Sequence, residues 1–219
     1  TTLRDFVPPE CLVVHPAVSS ESLARARMGW PAESVTVLRD HAQLPRHLAA
    51  GQRLLVLSRD EHVPAEVVSL LVDAGLGASR VTALAHLGGA DESVASSTAQ
   101  TWKHAVPSLH VLAVEVVADR PTSFLGWVAG LPDDAFEHDG QLTKRDLRAS
   151  ALARLAPVPG AVLWDVGAGA GSVGIEWMRA HPTCRTVAVE SHPERAARIA
   201  RNAARLGVQP TSVYMRVNR

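Results

Sequence analysis

Cysteine is almost missing from this chain: Cys11 and Cys184 are the only two, and they lie far apart. Nothing in that count suggests a disulfide framework or a zinc site, and a reducing, cytoplasmic setting fits. Long apolar runs are missing too. The longest, residues 109–118, is broken by His110 and Glu115 and falls well short of the roughly 18 residues a membrane helix needs. The first five residues, Thr1 to Asp5, show no basic-then-apolar leader. No initiator Met is present, so a processed chain or a fragment is expected. The ten histidines form no His-x-His or His-Glu-x-x-His pattern. His138 sits among carboxylates without a second His or Cys at ligand spacing, so it reads as part of a solvated loop and no metal is expected. Neither a membrane nor a nucleic-acid partner is indicated.

What is present points to a folded protein. Apolar residues make up 47% of the chain and charged residues 20%. The length suffices for one large core or two modest ones. The formal net charge is zero, but residues 140–219 hold 12 Lys/Arg against 5 Asp/Glu. A basic half of this kind can attract a polyanionic substrate. The plainer explanation is an arginine-rich helix face in water, since Arg195, Arg198, Arg201 and Arg205 recur at helical spacing.

Apolar β-branched runs alternate with helical patterns, which predicts an α/β fold. Strands are expected at 11–15, 35–39, 53–58, 80–86 and 109–117. Helices are expected at 20–28, 44–50, 64–74 and 92–102. Residues 119–140 break the rhythm with Pro121, Gly126, Gly130, Pro132 and the acidic residues Asp133, Asp134, Glu137 and Asp139. This stretch reads as a linker between two domains, 1–120 and 141–219, with 121–140 joining them. Beyond it come a helix at 143–155, a strand at 161–166, a glycine turn, a helix to 180, a strand at 185–190 and a helix at 192–206. That order opens a doubly wound sheet. Ser191 and Glu194 have the spacing of a capping box, with Pro193 at the helix start.

The glycine turn carries the chemistry. It reads Asp165-Val166-Gly167-Ala168-Gly169-Ala170-Gly171-Ser172. Glycine admits sharp turns and lets a ligand approach where a Cβ would clash, and the helix beyond presents unpaired N–H groups. Two cofactor classes compete. Gly169, Gly171 and Gly174 match the dinucleotide pattern G-x-G-x-x-G. The register Asp-x-Gly-x-Gly-x-Gly is instead similar to the first motif of class I S-adenosyl-L-methionine-dependent methyltransferases. Glu190 ends the next strand, where a carboxylate can accept both ribose hydroxyls. Trp164 and Trp177 read as core residues.

Taken with the rest of the chain, these motifs resemble the bifunctional precorrin-6Y C5,15-methyltransferases (decarboxylating) of cobalamin biosynthesis. The carriers are Gly140-Gln141-Leu142-Thr143-Lys144-Arg145-Asp146-Leu147-Arg148 and the glycine segment through Trp177. In the first half they are Pro16 to Ser20, Arg27 to Pro31, Leu57-Ser58-Arg59-Asp60 with Pro64-Ala65-Glu66, and His86-Leu87-Gly88-Gly89-Ala90-Asp91-Glu92. The resemblance implies the later half of a tetrapyrrole (corrin/porphyrin) methylase domain followed by a partial Rossmann-like class I methyltransferase domain. It implies S-adenosyl-L-methionine as cofactor, a polycarboxylated tetrapyrrole (precorrin) as substrate, methylation at C5 and C15 with loss of carbon dioxide from an acetate arm, and a homo-oligomer. The cofactor residues it implies are Thr143, Asp165, Gly167, Ala168, Gly169, Gly171, Ser172, Glu190 and Ser191. In the first half they are Leu57, Ser58, Leu84, Ala85 and His86. Lys144, Arg145 and Arg148 are expected to meet substrate carboxylates, for which Arg is suited by its bidentate geometry.

The chain also departs from that family. A Gly-x-Gly-Pro-Gly-like segment is missing, Arg59 stands where a small residue is expected, and residues 211–219 match poorly. Truncation at both ends, with little or no activity, is therefore the expectation. No general base or nucleophile stands out. An RNA or small-molecule methyltransferase, a nucleotide-linked oxidoreductase and a non-catalytic truncated product stay open as alternatives.

Overall fold

The computed structural model describes residues 6–13, 15–58, 60–118, 125–208 and 212–215. Helix α1 (Ser20–Met28) begins where the Ser19 hydroxyl accepts the Ser22 amide at 3.2 Å, and it stops at Gly29, whose φ of 66° ends the right-handed turn. Strand β1 (Val35–Leu38), β2 (Arg53–Leu57), helix α2 (Val63–Asp73), β3 (Arg80–Ala85), β4 (Ser93–Thr98) and β5 (His110–Glu115) follow. They form one mixed sheet in the order β1-β2-β5-β3-β4. The last strand, β5, inserts antiparallel between β2 and β3. Both faces of the central strands are covered, which explains their continuous apolar runs. Leu54, Val56, Leu112 and Val114 pack against Val63, Val67 and Leu71 of α2, while Leu55, Leu84, Val111 and Ala113 meet Ala24 and Trp30 on the other side.

Three expectations fail in this half. Residues 92–102 hold β4 and a single 3-10 turn (Ala99–Thr101), not a helix. Pairing of Ser93–Thr98 with β3 overrides the local pattern. The helix at 44–50 is a 3-10 helix, His41–His47; Pro45 lies inside it and has no amide to continue an α-helical ladder. Among the described residues of 11–15 there is no strand, and a 3-10 turn (Pro9–Cys11) takes in Cys11; Val14 and Arg59 lie outside the described residues.

The second half adds α3 (Arg145–Leu155), β6 (Val162–Val166), α4 (Ser172–Ala180), β7 (Arg185–Glu190), α5 (Pro193–Arg205) and β8 (Ser212–Met215). Its three strands are all parallel in the order β6-β7-β8. β6 is an edge strand whose outward row, Val162, Trp164 and Val166, is exposed, Trp164 to 67%. Trp164 is therefore not a core residue, whereas Trp177 is buried. The capping box at Ser191 and Glu194 does not form: His192 is the N-cap and no side chain caps α5. No helix among the described residues is long and apolar enough to cross a membrane.

The stretch expected to be a linker is folded onto the second half over its described part, residues 125–140. Leu131 and Phe136 are buried with Leu152, Ile175, Trp177 and Leu206. Its carboxylates meet the arginine row of α5: Asp139 bonds Arg195 at 2.8 Å, Glu137 bonds Arg201 at 2.6 and 2.9 Å, and Arg198 reaches both acids at 3.5 and 3.2 Å. Three of the four arginines of the row are thus paired with two carboxylates within the chain, and Arg205 donates to the Ala135 carbonyl. The Arg201 hydrogen bond, against an opposing burial effect, lowers the Glu137 carboxyl to about 2. Arg195 in the same way holds Asp139 far below the usual carboxylate range. Depressed folded pKa values mean that these pairs stabilise above the unfolded pKa, and that the contribution is lost as pH falls through the folded one. Stability should therefore hold from neutral pH down to about 4.5 and decline toward about 2. Glu137→Gln should flatten that decline in urea melts, and salt should flatten it further because these pairs are exposed. An unchanged acid profile in Glu137→Gln would count against the pairing.

Candidate functional site

The glycine turn joins β6 to α4, and the end of β7 determines its shape. The amides of Gly167 and Ala168 both donate to the Val189 carbonyl, at 2.8 and 3.1 Å. The Gly169 amide donates to Glu190 Oε2 at 2.8 Å, and the His192 amide to Glu190 Oε1 at 2.9 Å. Glu190 is only 5% exposed. Burial works to raise its pKa, but the amides of His192, Gly169 and Ser191 outweigh burial and leave it below the ordinary value. A buried, ionised acid thus stands directly under the turn.

The motif glycines divide by what surrounds them. A Cβ on Gly167, at φ 77°, would meet open space. On Gly171 it would lie 2.8 Å from Ile199 Cγ2 of α5, and on Gly174 2.6 Å from Thr186 Cγ2 of β7. On Gly169 it would lie 3.1 Å from the Gln141 carbonyl, so the segment carrying Thr143 runs beside the turn. This matters for the two motif registers. In G-x-G-x-x-G the second glycine leaves room for a pyrophosphate, but here that position is Gly171, packed by protein. The open glycine, Gly167, belongs only to the Asp-x-Gly-x-Gly-x-Gly register.

Gly174→Ala should accordingly cost about 1–3 kcal/mol in urea unfolding through overpacking. Gly167→Ala should cost only about 1–2 kcal/mol, for the left-handed backbone, yet weaken cofactor binding measured by calorimetry. Equal stability losses with unaltered binding in Gly167→Ala would contradict this division.

Asp165 lies beneath the turn. Its Oδ2 accepts the Gly174 amide at 3.2 Å, and the cavity it lines with Thr186 and Ile199 is about 10 Å³, too small for a ligand. Burial raises its pKa and the nearby Glu190 charge adds to that. Asp165 positions the start of α4 from below; the geometry does not give it a ligand contact. Ser172 is buried as the first residue of α4, and Ser191 is exposed beside Glu190.

The three cations expected at a substrate separate. Lys144 and Arg145 are exposed at the start of α3; Lys144 Nζ lies 3.6 Å from Asp133, and Arg145 Nε donates to the Gly130 carbonyl at 2.7 Å. Arg148 is 0% exposed and has no face toward a substrate. Its guanidinium bonds Glu176 at 2.6 Å, Asp133 at 3.2 Å and the carbonyls of Thr143 and Leu131, and it stacks on Phe136 at 4.9 Å. Glu176, in turn, takes the Gly130 and Leu131 amides at 2.5 and 3.0 Å. Arg148 is an internal strut that ties residues 130–133 to α4. Sequence spacing placed it with Lys144 and Arg145 because burial of one helix face is invisible in a charge pattern.

In the first half, Leu57, Ser58, Leu84 and His86 line one cavity of about 350 Å³, together with Leu109, His110 and Val111 of β5 and the residue before it. Ala85 is buried and does not line that cavity. The β5 residues were missed because only the strand order brings them there. His86 has a positive φ of 50°, and the turn after it is held by Glu92, which accepts the Gly88 amide at 2.8 Å and pairs with Arg27 at 2.5 and 3.0 Å.

Residues 134–217 match the model of the precorrin methyltransferase domain. Over 203 residues, 90% of this chain and 49% of the relative, the chain is 46% identical to a precorrin-6Y C(5,15)-methyltransferase [decarboxylating] from Sinorhizobium sp. It is 41% identical over 214 residues, 95% of this chain and 53% of the relative, to the protein so named from Mycobacterium tuberculosis. The chain is similar to precorrin-6Y C5,15-methyltransferases over nearly all of its own length. A probable cobalt-precorrin-6B C(15)-methyltransferase (decarboxylating) from Pyrobaculum calidifontis is 38% identical over 90 residues, 40% of this chain and 46% of that protein. The chain spans about half the length of these curated relatives. This similarity favours a methyltransferase over the oxidoreductase alternative, in agreement with the packing around Gly171.

Proposed function

We propose that the chain binds S-adenosyl-L-methionine at the turn between β6 and α4 and serves in methylation of a precorrin at C5 and C15 with decarboxylation of an acetate arm. The observation that carries this is the open space over Gly167 beside the ionised, buried Glu190. When bound there, the cofactor would supply an electrophilic methyl on a sulfonium. The chain's own contribution is placement. Amides pinned to Val189 and Glu190 hold the turn rigid, Asp165 anchors α4 from below, and Glu190 accepts the ribose hydroxyls. Such pre-positioning is the main catalytic resource for a transfer in which the substrate carbon is itself the nucleophile.

The remaining expected contacts are assigned by the same reading. Gly167, Ala168, Gly169, Ser191 and Thr143 border the cofactor, while Gly171 and Ser172 support it through packing. Lys144 and Arg145, but not Arg148, are the cations offered to substrate carboxylates. The 350 Å³ cavity of the first half is a second adenosyl site within a tetrapyrrole methylase domain, and residues 141–219 belong to the class I methyltransferase domain. A cytoplasmic homo-oligomer is part of this reading. Titration calorimetry with S-adenosylhomocysteine and with NAD tests it: the first should bind and the second should not. Preference for NAD would overturn it.

A further inference from the structure

Two residues that line the cavity in the first half carry buried polar atoms without partners. Ser58 Oγ and His110 Nε2 are both buried and make no hydrogen bond, and both residues line the cavity. Continuing the β2–β5 register, in which Leu57 faces Val111, sets Ser58 opposite His110, and Ala85 of β3 pairs His110 from the other side. His110 is 5% exposed. Buried polar atoms left unpaired are costly, and a pair of them lining one cavity of ligand size is the signature of a partner that completes them.

The chemistry of that partner follows from the imidazole. His110 Nδ1 lies 2.6 Å from the Pro107 carbonyl, which can only accept. Nδ1 therefore carries the proton, and Nε2 of the neutral ring is an acceptor. Burial keeps the ring neutral, outweighing the carbonyls of Pro107 and Ser108 and the charge of Asp60, which favour protonation. The walls include Leu23, Leu57, Leu84 and Leu109. An apolar slot ending in one fixed acceptor and one hydroxyl suits a flat heterocycle that carries an N–H donor at its edge. Strain at His86, the lining residue with positive φ, is in keeping with a ligand site.

We propose that His110 is the specificity residue of this cavity, accepting the exocyclic amine of an aminopurine and rejecting its 6-oxo counterpart. This rests on the reading of the cavity as an adenosyl site. A 6-oxo purine would set a carbonyl acceptor against the Nε2 lone pair.

The test uses the whole chain with histidine side chains observed by NMR, and two probes, S-adenosylhomocysteine and S-inosylhomocysteine. The His86 ring, in the same cavity, reports binding in every variant. In the unaltered protein the adenosyl compound should shift His86 and His110 and bind roughly tenfold or more tightly than the inosyl compound, the consequence of leaving one buried acceptor unpaired. His110→Leu should bring the two compounds within about twofold, on the same hydrogen-bond accounting. His110→Asn, whose amide oxygen accepts, should restore part of the preference. Amide spectra establish that each variant is folded. Equal binding of both compounds to the unaltered protein would overturn the role of His110 and leave the adenosyl reading standing. Preference that survives in His110→Leu would do the same. If neither compound shifts His86 or His110 at millimolar concentration, the cavity reading itself fails and this proposal with it.

Discussion

Arg148→Ala should lower the free energy of unfolding by about 3–5 kcal/mol, the cost of stranding a buried charge. Glu176 would keep its two backbone amides but lose its counter-ion in a site that is nearly closed to water. Asp133 and the carbonyls of Thr143 and Leu131 would lose their donors at the same time. The segment 130–136 would detach from α4, taking Leu131 and Phe136 out of the core. Urea unfolding measures the loss directly. Arg148→Met with Glu176→Gln should recover more than half of it, because no unpaired charge remains and the amide oxygen still accepts from Gly130 and Leu131. A loss below about 1 kcal/mol, a value typical of exposed pairs, together with a selective loss of substrate affinity would return Arg148 to the substrate site.

Glu190→Ala should weaken S-adenosylhomocysteine binding by roughly 10- to 150-fold, since hydrogen bonds to a charged acceptor are worth about 1.5–3 kcal/mol. The carboxylate does two things here. It holds the Gly169 and His192 amides, and its remaining lone pairs can take the ribose hydroxyls. Glu190→Gln separates these, because the amide oxygen keeps one acceptor while the charge is gone; its affinity should fall between the other two. Calorimetry on all three, with melting temperatures alongside, checks the order. Undiminished binding by Glu190→Ala would remove this acid from the site and with it the main support for an adenosyl ligand at this turn.

Much of the second half could be read without coordinates because its signals are local. β7 matches its expected range residue for residue, and α3, β6, α4 and α5 begin or end within two residues of expectation. Glycine at an open turn and an acid at a strand end are properties of neighbouring residues and survive in a linear reading. The first half was harder. β4 contains Ser93, Ser96, Ser97 and Thr98, whose short polar side chains declare no period, and it is a strand only because β3 offers it an edge.

The linear order of residues determined the glycine turn, the acid one strand later and the methyltransferases they resemble, because these depend on spacing along a few dozen residues. Tertiary structure decided the rest. It turned an acidic linker into the partner of an arginine row, made Arg148 a buried strut while Lys144 and Arg145 stayed outside, and used β5 to carry His110 between β2 and β3. The physical reason is common to all three: burial and charge pairing depend on which surfaces meet after folding, and the residues that meet are separated by tens of positions in the chain.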